Sequence, residues 1–256
     1  MSMTTTSRIG VATLWLLNLV ANAALLAIWY FWLVIPDAHG WQVAGSALIA
    51  VAVVLSVLWL RAGTLAWFRV AEFRRESGIW RAYRHSRRHV LALAVWVLVF
   101  VIFAWVLWGV YGYVPQFAVW FRQKLGAGPP PRNIMRDVNW LLLLIGGFVM
   151  PALWLPMAAT ISAVGFKAEH IIRSRQVWKR PIYWLWFCLL LGASVYIPYK
   201  LVWWIPDLQT LRQQAWSMAG RFLIAYLIVV TGFIAVVWMT ALHTDREDPI
   251  SVEPGS

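Results

Sequence analysis

Cysteine is nearly absent from this chain. Cys188 stands alone, so an intrachain disulfide is impossible and a metal site built on several thiolates is excluded. It is expected to pack as a small apolar residue. Acidic residues are scarce too, ten against 22 basic ones. Asp37, Glu72, Glu76, Asp137, Glu169, Asp207, Asp245, Glu247, Asp248 and Glu253 all fall in connecting segments, at the ends of apolar runs or in the tail. With no carboxylate inside an apolar run there is nothing to relay protons, which argues against a proton-coupled pump. Charge of either sign amounts to 12% of the residues, where a soluble domain carries roughly 25%. The sequence also lacks a Walker A loop, a His-Glu-x-x-His zinc motif and a dinucleotide-binding glycine fingerprint. It therefore assigns no catalytic residue, no metal ligand and no cofactor.

What is abundant is apolar surface: 62% of the residues are hydrophobic and 20 are Trp, a residue that settles with Tyr at the headgroup level of a bilayer. Six charge-free stretches run from Ile9 to Pro36, Trp41 to Leu60, Val90 to Phe121, Val138 to Phe166, Pro181 to Tyr199 and Phe222 to Leu242. Each is long enough for a helix across a core about 30 Å thick. Membrane strands would alternate apolar and polar residues, whereas the run from Leu91 to Phe103 is apolar throughout. The predicted fold is an all-α integral membrane protein. It is a bundle of about six transmembrane helices, near 10–35, 42–60, 90–112, 139–163, 182–199 and 222–242, forming one multi-pass domain over 1–256. Ala21-Asn22-Ala23 resembles a signal-peptidase site, but the apolar run continues past it to Ile35. The first stretch is therefore read as a span and not a cleaved signal.

Orientation follows the basic residues. With the N-terminus in the cytoplasm, fifteen of the 22 Lys and Arg fall on the cytoplasmic side and seven on the other, as the positive-inside rule requires. Both termini, including the tail 243–256, are expected in the cytoplasm, and a bacterial inner (plasma) membrane is the expected location. The net charge of +12 is divided between two loops beside spans. Anionic lipid of the cytoplasmic face is therefore the expected partner, not nucleic acid.

A repeat is visible. Tyr113-Val-Pro-Gln-Phe-Ala-Val-Trp-Phe121 and Tyr196-Ile-Pro-Tyr-Lys-Leu-Val-Trp-Trp204 agree at Tyr, Pro, Val and Trp. Each follows an outward-going span, which predicts a parallel internal repeat of a two-span unit, the second and third spans matching the fourth and fifth. The competing explanation is that Tyr, Pro and Trp recur because spans end at interfaces. After Pro115, Phe117, Trp120, Phe121 and Leu125 predict an interfacial helix. Candidate lipid or ligand contacts on this outer face are Tyr113, Trp120, Tyr196, Lys200 and Trp203; Lys200 is expected to reach toward outer headgroups.

The loop 64–89 is basic and aromatic. Trp67, Phe68, Phe73, Ile79, Trp80 and Tyr83 alternate with Arg69, Arg74, Arg75, Arg81, Arg84, Arg87 and Arg88, a pattern suited to an anionic leaflet. Arg74, Arg75, Arg81 and Arg84 are its candidate lipid contacts. Within the spans, Asn18 and Asn22 lie one turn apart and are candidate intramembrane polar contacts, most simply to a neighbouring helix. Gly146, Gly147, Pro151 and Pro156 mark the fourth span as a candidate helix break. His85 and His89 share a helical face, but Arg84, Arg87 and Arg88 around them disfavour a cation. Ser194 and His243 do not make a nucleophile–base pair, because they fall near opposite ends of consecutive spans.

The function these features favour is a non-catalytic membrane subunit that binds lipid, a membrane protein partner or a second copy of itself. An alternative is a small transporter or channel using the irregular fourth span. A further alternative is an enzyme acting on lipid headgroups near Lys200, Asp207 or Arg212.

Overall fold

The computed structural model describes residues 5–35, 39–76, 78–126, 130–206, 210–245 and 250, and among these it is helical with no strand. The helices are α1 (Thr5–Leu33), α2 (Gly40–Arg69), α3 (Ala71–Arg75), α4 (Ile79–Ser86), α5 (Val90–Leu125), α6 (Pro131–Leu144), α7 (Met150–Val164), α8 (Ala168–Ser174), α9 (Pro181–Trp203) and α10 (Leu211–Asp245). Six helical segments are long and apolar enough to cross a membrane: Ile9–Leu33, Gly40–Arg69, Ile79–Lys124, Pro131–Val164, Pro181–Trp203 and Leu211–Asp245. Six charge-free runs thus become six long helices, as the apolar pattern demands.

Several boundaries differ from the sequence expectation. The second span does not stop at Leu60, because α2 continues through Arg61 to Arg69 and every residue from Ala62 to Arg69 is buried. There Arg61 donates to Asn22 and Arg69 pairs with Asp245. The outer segments after Pro115 and Pro198 are not separate interfacial helices. Both prolines lie inside unbroken helices, α5 and α9. In the fourth span the backbone widens to a π turn at Ile145–Val149, spanning Gly146 and Gly147. Pro151, two residues beyond it, has no N–H to donate to residue 147 and crowds that carbonyl. A local widening of the ladder is a usual response to such an interruption, and helix resumes as α7 with Pro156 inside it.

The chain divides into two compact units, one of Met1–Leu93 with Pro156–Ser256 and the other of Ala94–Leu155. In the first, α9 lies along α10, α2 packs on α4, and α1 contacts both α2 and α10. Trp67, Phe68, Phe73, Tyr83, Tyr183, Phe187, Leu65 and Ile161 fill its interior. Two glycines permit close approaches. A Cβ at Gly232 of α10 would collide with Ser194 of α9, and one at Gly63 of α2 would enter the Tyr83 ring of α4. Small residues at such crossings are the usual device for bringing apolar helices together.

In the second unit the indoles of Trp96 and Trp154 each donate to the other residue's carbonyl, at 3.5 and 3.3 Å. Phe100 packs on Trp154 with ring centroids 5.3 Å apart. Val114, Ala118, Ile134 and Ala152 are buried. Much of the remaining apolar surface faces outward: Trp105 and Trp108 are each 75% exposed, an arrangement a water-soluble fold avoids in large patches. Cys188 lies on the exposed side of α9.

Candidate functional site

The interior of the first unit holds two polar clusters. In one, Asn18 is fully buried and its Nδ2 donates to Leu14 O and to Thr64 Oγ1, both at 3.0 Å. Thr64 donates to Leu60 O at 2.8 Å, and the Tyr83 hydroxyl lies 3.0 Å from the same Oγ1. Asn22, one turn further along α1, donates to Asn18 O at 2.6 Å and accepts from Arg61 Nη2 at 2.9 Å. The Arg61 guanidinium stands over the Phe233 ring, 4.2 Å from its centroid, a favourable cation–π placement. Tyr226 of α10 donates to Leu19 O beside it.

The position of Arg61 within the helices matters. Phe233 is twelve residues from Arg221 and twelve from Asp245, the nearest charges along α10, or about 18 Å along the axis from each at 1.5 Å per residue. Asn22 is fourteen residues from Arg8 and fifteen from Asp37. The guanidinium therefore meets the midpoints of two charge-free runs. It is half-buried, and of its five N–H donors only Nη2 finds an acceptor among the described residues.

The second cluster closes the far ends of α2 and α10. Arg69, whose side chain is fully buried, donates from Nη1 to Asp245 Oδ1 at 2.8 Å and from Nε to Thr160 Oγ1 at 3.4 Å. Arg74 binds the other carboxylate oxygen of Asp245 and the Phe68 carbonyl. One carboxylate thus holds two guanidiniums. Trp67 beside it is buried with an indole N–H that meets no acceptor among the described residues.

Asn18 and Asn22 do share a face, and each has one side-chain partner on α2. Arg74 faces inward to Asp245, and the side chain of Arg75 lies outside the described residues. Arg81 pairs with Glu76 and is exposed; Arg84, Arg87 and Arg88 are exposed and meet no carboxylate among the described residues. Of the loop's aromatics, Trp67, Phe68, Phe73 and Tyr83 are core residues, and Trp80 is 64% exposed. On α5, Tyr113 and Trp120 are exposed, with Phe117 stacked on Phe121 at 5.7 Å. On α9, Tyr196 and Trp203 are exposed and Lys200 Nζ stands 5.5 Å from the Tyr196 ring. Asp207 lies outside the described residues.

His85 contacts Ala163 O at 2.7 Å and its ring lies 5.4 Å from that of His89. Gly165, at φ 73°, turns the chain next to His89, where a Cβ would come within 3.1 Å of Nδ1. Ser194 donates to Leu190 O against Gly232, and Gly232 is eleven residues along α10 from His243, roughly 16 Å. No nucleophile–base geometry links the two.

Sequence reasoning missed Arg61, Thr64, Arg69, Tyr83 and Asp245. A signal existed in Arg61 and Thr64, three apart and hence on one face, but their partners are 39 and 46 residues away. No known protein family, curated protein or solved structure matches this chain.

Proposed function

We propose that this chain is an integral membrane protein of six spans with both termini in the cytoplasm, set in a bacterial inner membrane. In this reading it acts without catalysis, as a subunit that binds anionic lipid at the inner face and a protein partner in the bilayer. The observation that carries the reading is the junction between α4 and α5. Trp80, Arg81, Arg84, Arg87 and Arg88 are exposed, and three residues later Leu91 is 74% exposed at the head of an apolar helix. Cations followed so closely by outward apolar side chains match the step from headgroups to acyl chains.

Support for the orientation comes from the distribution of Lys and Arg, which still stands at fourteen to seven when Arg61 is set aside. The duplicated two-span unit gains support from the short inner helices. Both α4 and α8 end in a buried serine, Ser86 and Ser174, whose hydroxyl donates to the carbonyl three residues earlier. A 3-10 turn follows each, Arg87–His89 and Arg175–Lys179, and then a long helix with an internal proline.

The test is native mass spectrometry of the full chain extracted in neutral detergent with phosphatidylglycerol and phosphatidylcholine in equal amounts. Preferential retention of phosphatidylglycerol is expected, lost when Arg81, Arg84, Arg87 and Arg88 are all changed to Gln. Equal retention of both lipids by the unaltered chain overturns lipid binding. A second reading, a small transporter or channel, draws on the π turn at Ile145–Val149, since such turns cluster at functional sites. Substrate-dependent flux in proteoliposomes would favour it over the subunit reading.

A further inference from the structure

We infer that Arg61 is the docking point for a spanning helix of a different membrane protein, one that carries an Asp or Glu at the middle of its apolar run. The inference rests on the six-span reading above and extends it. Arg61 touches Asn22 and Phe233, each at the centre of a charge-free run, and Arg221 and Asp245 lie about 18 Å to either side along α10. In a core about 30 Å thick the guanidinium then sits near the midplane. A charge at that depth is costly and is ordinarily paired or placed on a functional path.

Among the described residues Arg61 meets no carboxylate, and its one hydrogen bond there is to a neutral amide. The cation–π contact with Phe233 covers one face of the guanidinium, and its remaining N–H groups are the in-plane fork that matches a carboxylate. The contrast with Arg69 is informative, because at the helix ends the same helix pairs its buried arginine fully with Asp245.

Charge complementarity also selects the occupant. A second copy offers no acid inside a charge-free run, since all ten carboxylates fall in connecting segments, at run ends or in the tail. The carboxylate of a single-chain amphiphile equilibrates at the headgroups, where water solvates it, about 15 Å from the midplane. A carboxylate fixed halfway along another protein's helix has no such escape. It is stabilised only by a partner at its own depth.

The experiment uses the full chain in neutral-lipid vesicles and two synthetic Leu/Ala spanning peptides, identical except for a central Asp or Asn. Association is read by energy transfer from a label on the chain's terminus to one on the peptide. We expect the Asp peptide to bind about tenfold tighter than the Asn peptide, the ratio that 1.4 kcal/mol gives. Arg61→Gln should abolish that preference and Arg61→Lys should retain most of it. Equal binding of both peptides by the unaltered chain overturns the proposal without depending on whether a variant folds. So does a preference for Asp that survives in Arg61→Gln, or its erasure by oleate added at the peptide's concentration, which would assign the site to an amphiphile. Resistance of the chain to alkaline extraction is measured alongside. If the chain is released, the six-span reading fails; if it is retained and the peptides bind equally, only the docking inference fails.

Discussion

Arg69 and Asp245 are 176 residues apart in the sequence and 2.8 Å apart in the structure, so the end of α2 is fastened to the end of α10. Asp245 also holds Arg74, which makes this one carboxylate the counter-ion for two guanidiniums. Asp245→Asn replaces the carboxylate that Arg69 and Arg74 share with a neutral amide. Breaking a buried pair from one side costs about 3–5 kcal/mol. Thermal unfolding of the detergent-solubilised protein, followed by tryptophan fluorescence, should show a lower midpoint for Asp245→Asn than for Arg74→Gln. Arg74 keeps some solvent contact, with 18% of its side chain exposed. Equal midpoints would show that Arg69 draws little from the pair.

Gly232 and Ser194 should be exchangeable only as a pair. Gly232→Ala puts a methyl group into Ser194, an overpacking that costs about 1–3 kcal/mol. Adding Ser194→Gly removes the obstruction and should restore most of the lost stability in the same unfolding assay. No recovery in the double variant would mean that the crossing of α9 and α10 is held open elsewhere.

Asn18 and Thr64 should be energetically coupled. Each removal, Asn18→Leu or Thr64→Val, is expected to cost on the order of 1 kcal/mol. Together they should cost less than the sum, since the second removal no longer strands a buried partner. Strict additivity in a double-mutant cycle would contradict the hydrogen bond between them.

Cys188 reports on what surrounds α9. It is exposed, yet in the six-span reading that exposure is to acyl chains. A charged, water-soluble maleimide should therefore leave it unmodified in open membrane sheets and modify it after SDS. Intact-mass measurement gives the answer directly, and labelling in the membrane would place this face of α9 in water.

How much of this was legible beforehand differs from one region to another. The six long helices follow from six charge-free runs, because backbone in apolar solvent has few alternatives to a helix. Asn18 and Asn22 were recognisable as a shared face from their spacing alone. In sequence the charge at Arg61 looks like the end of the second span, whereas α2 carries it on to Arg69. The cation–π contact of Arg61 with Phe233 and the pairing of Arg69 with Asp245 join residues more than 170 positions apart, and no local pattern carries that information. The same limit hid the burial of Trp67, Phe68 and Tyr83. An Arg/aromatic alternation looks alike whether its rings face lipid headgroups or a protein core, and the burial of Trp67, Phe68 and Tyr83 separates the two here.

The π turn at Ile145–Val149 changes the phase of the fourth span. A widened turn takes up one residue more than a regular one, and each residue advances the helix by about 100°. A stripe of side chains followed along α6 therefore continues in α7 on positions shifted by one. Any face counted without interruption from Pro131 to Val164 is correct on one side of the glycines and wrong on the other. Deleting either Gly146 or Gly147 would bring the two halves into step, and would by the same stroke turn residues 151–155 by about 100° about the helix axis relative to α6.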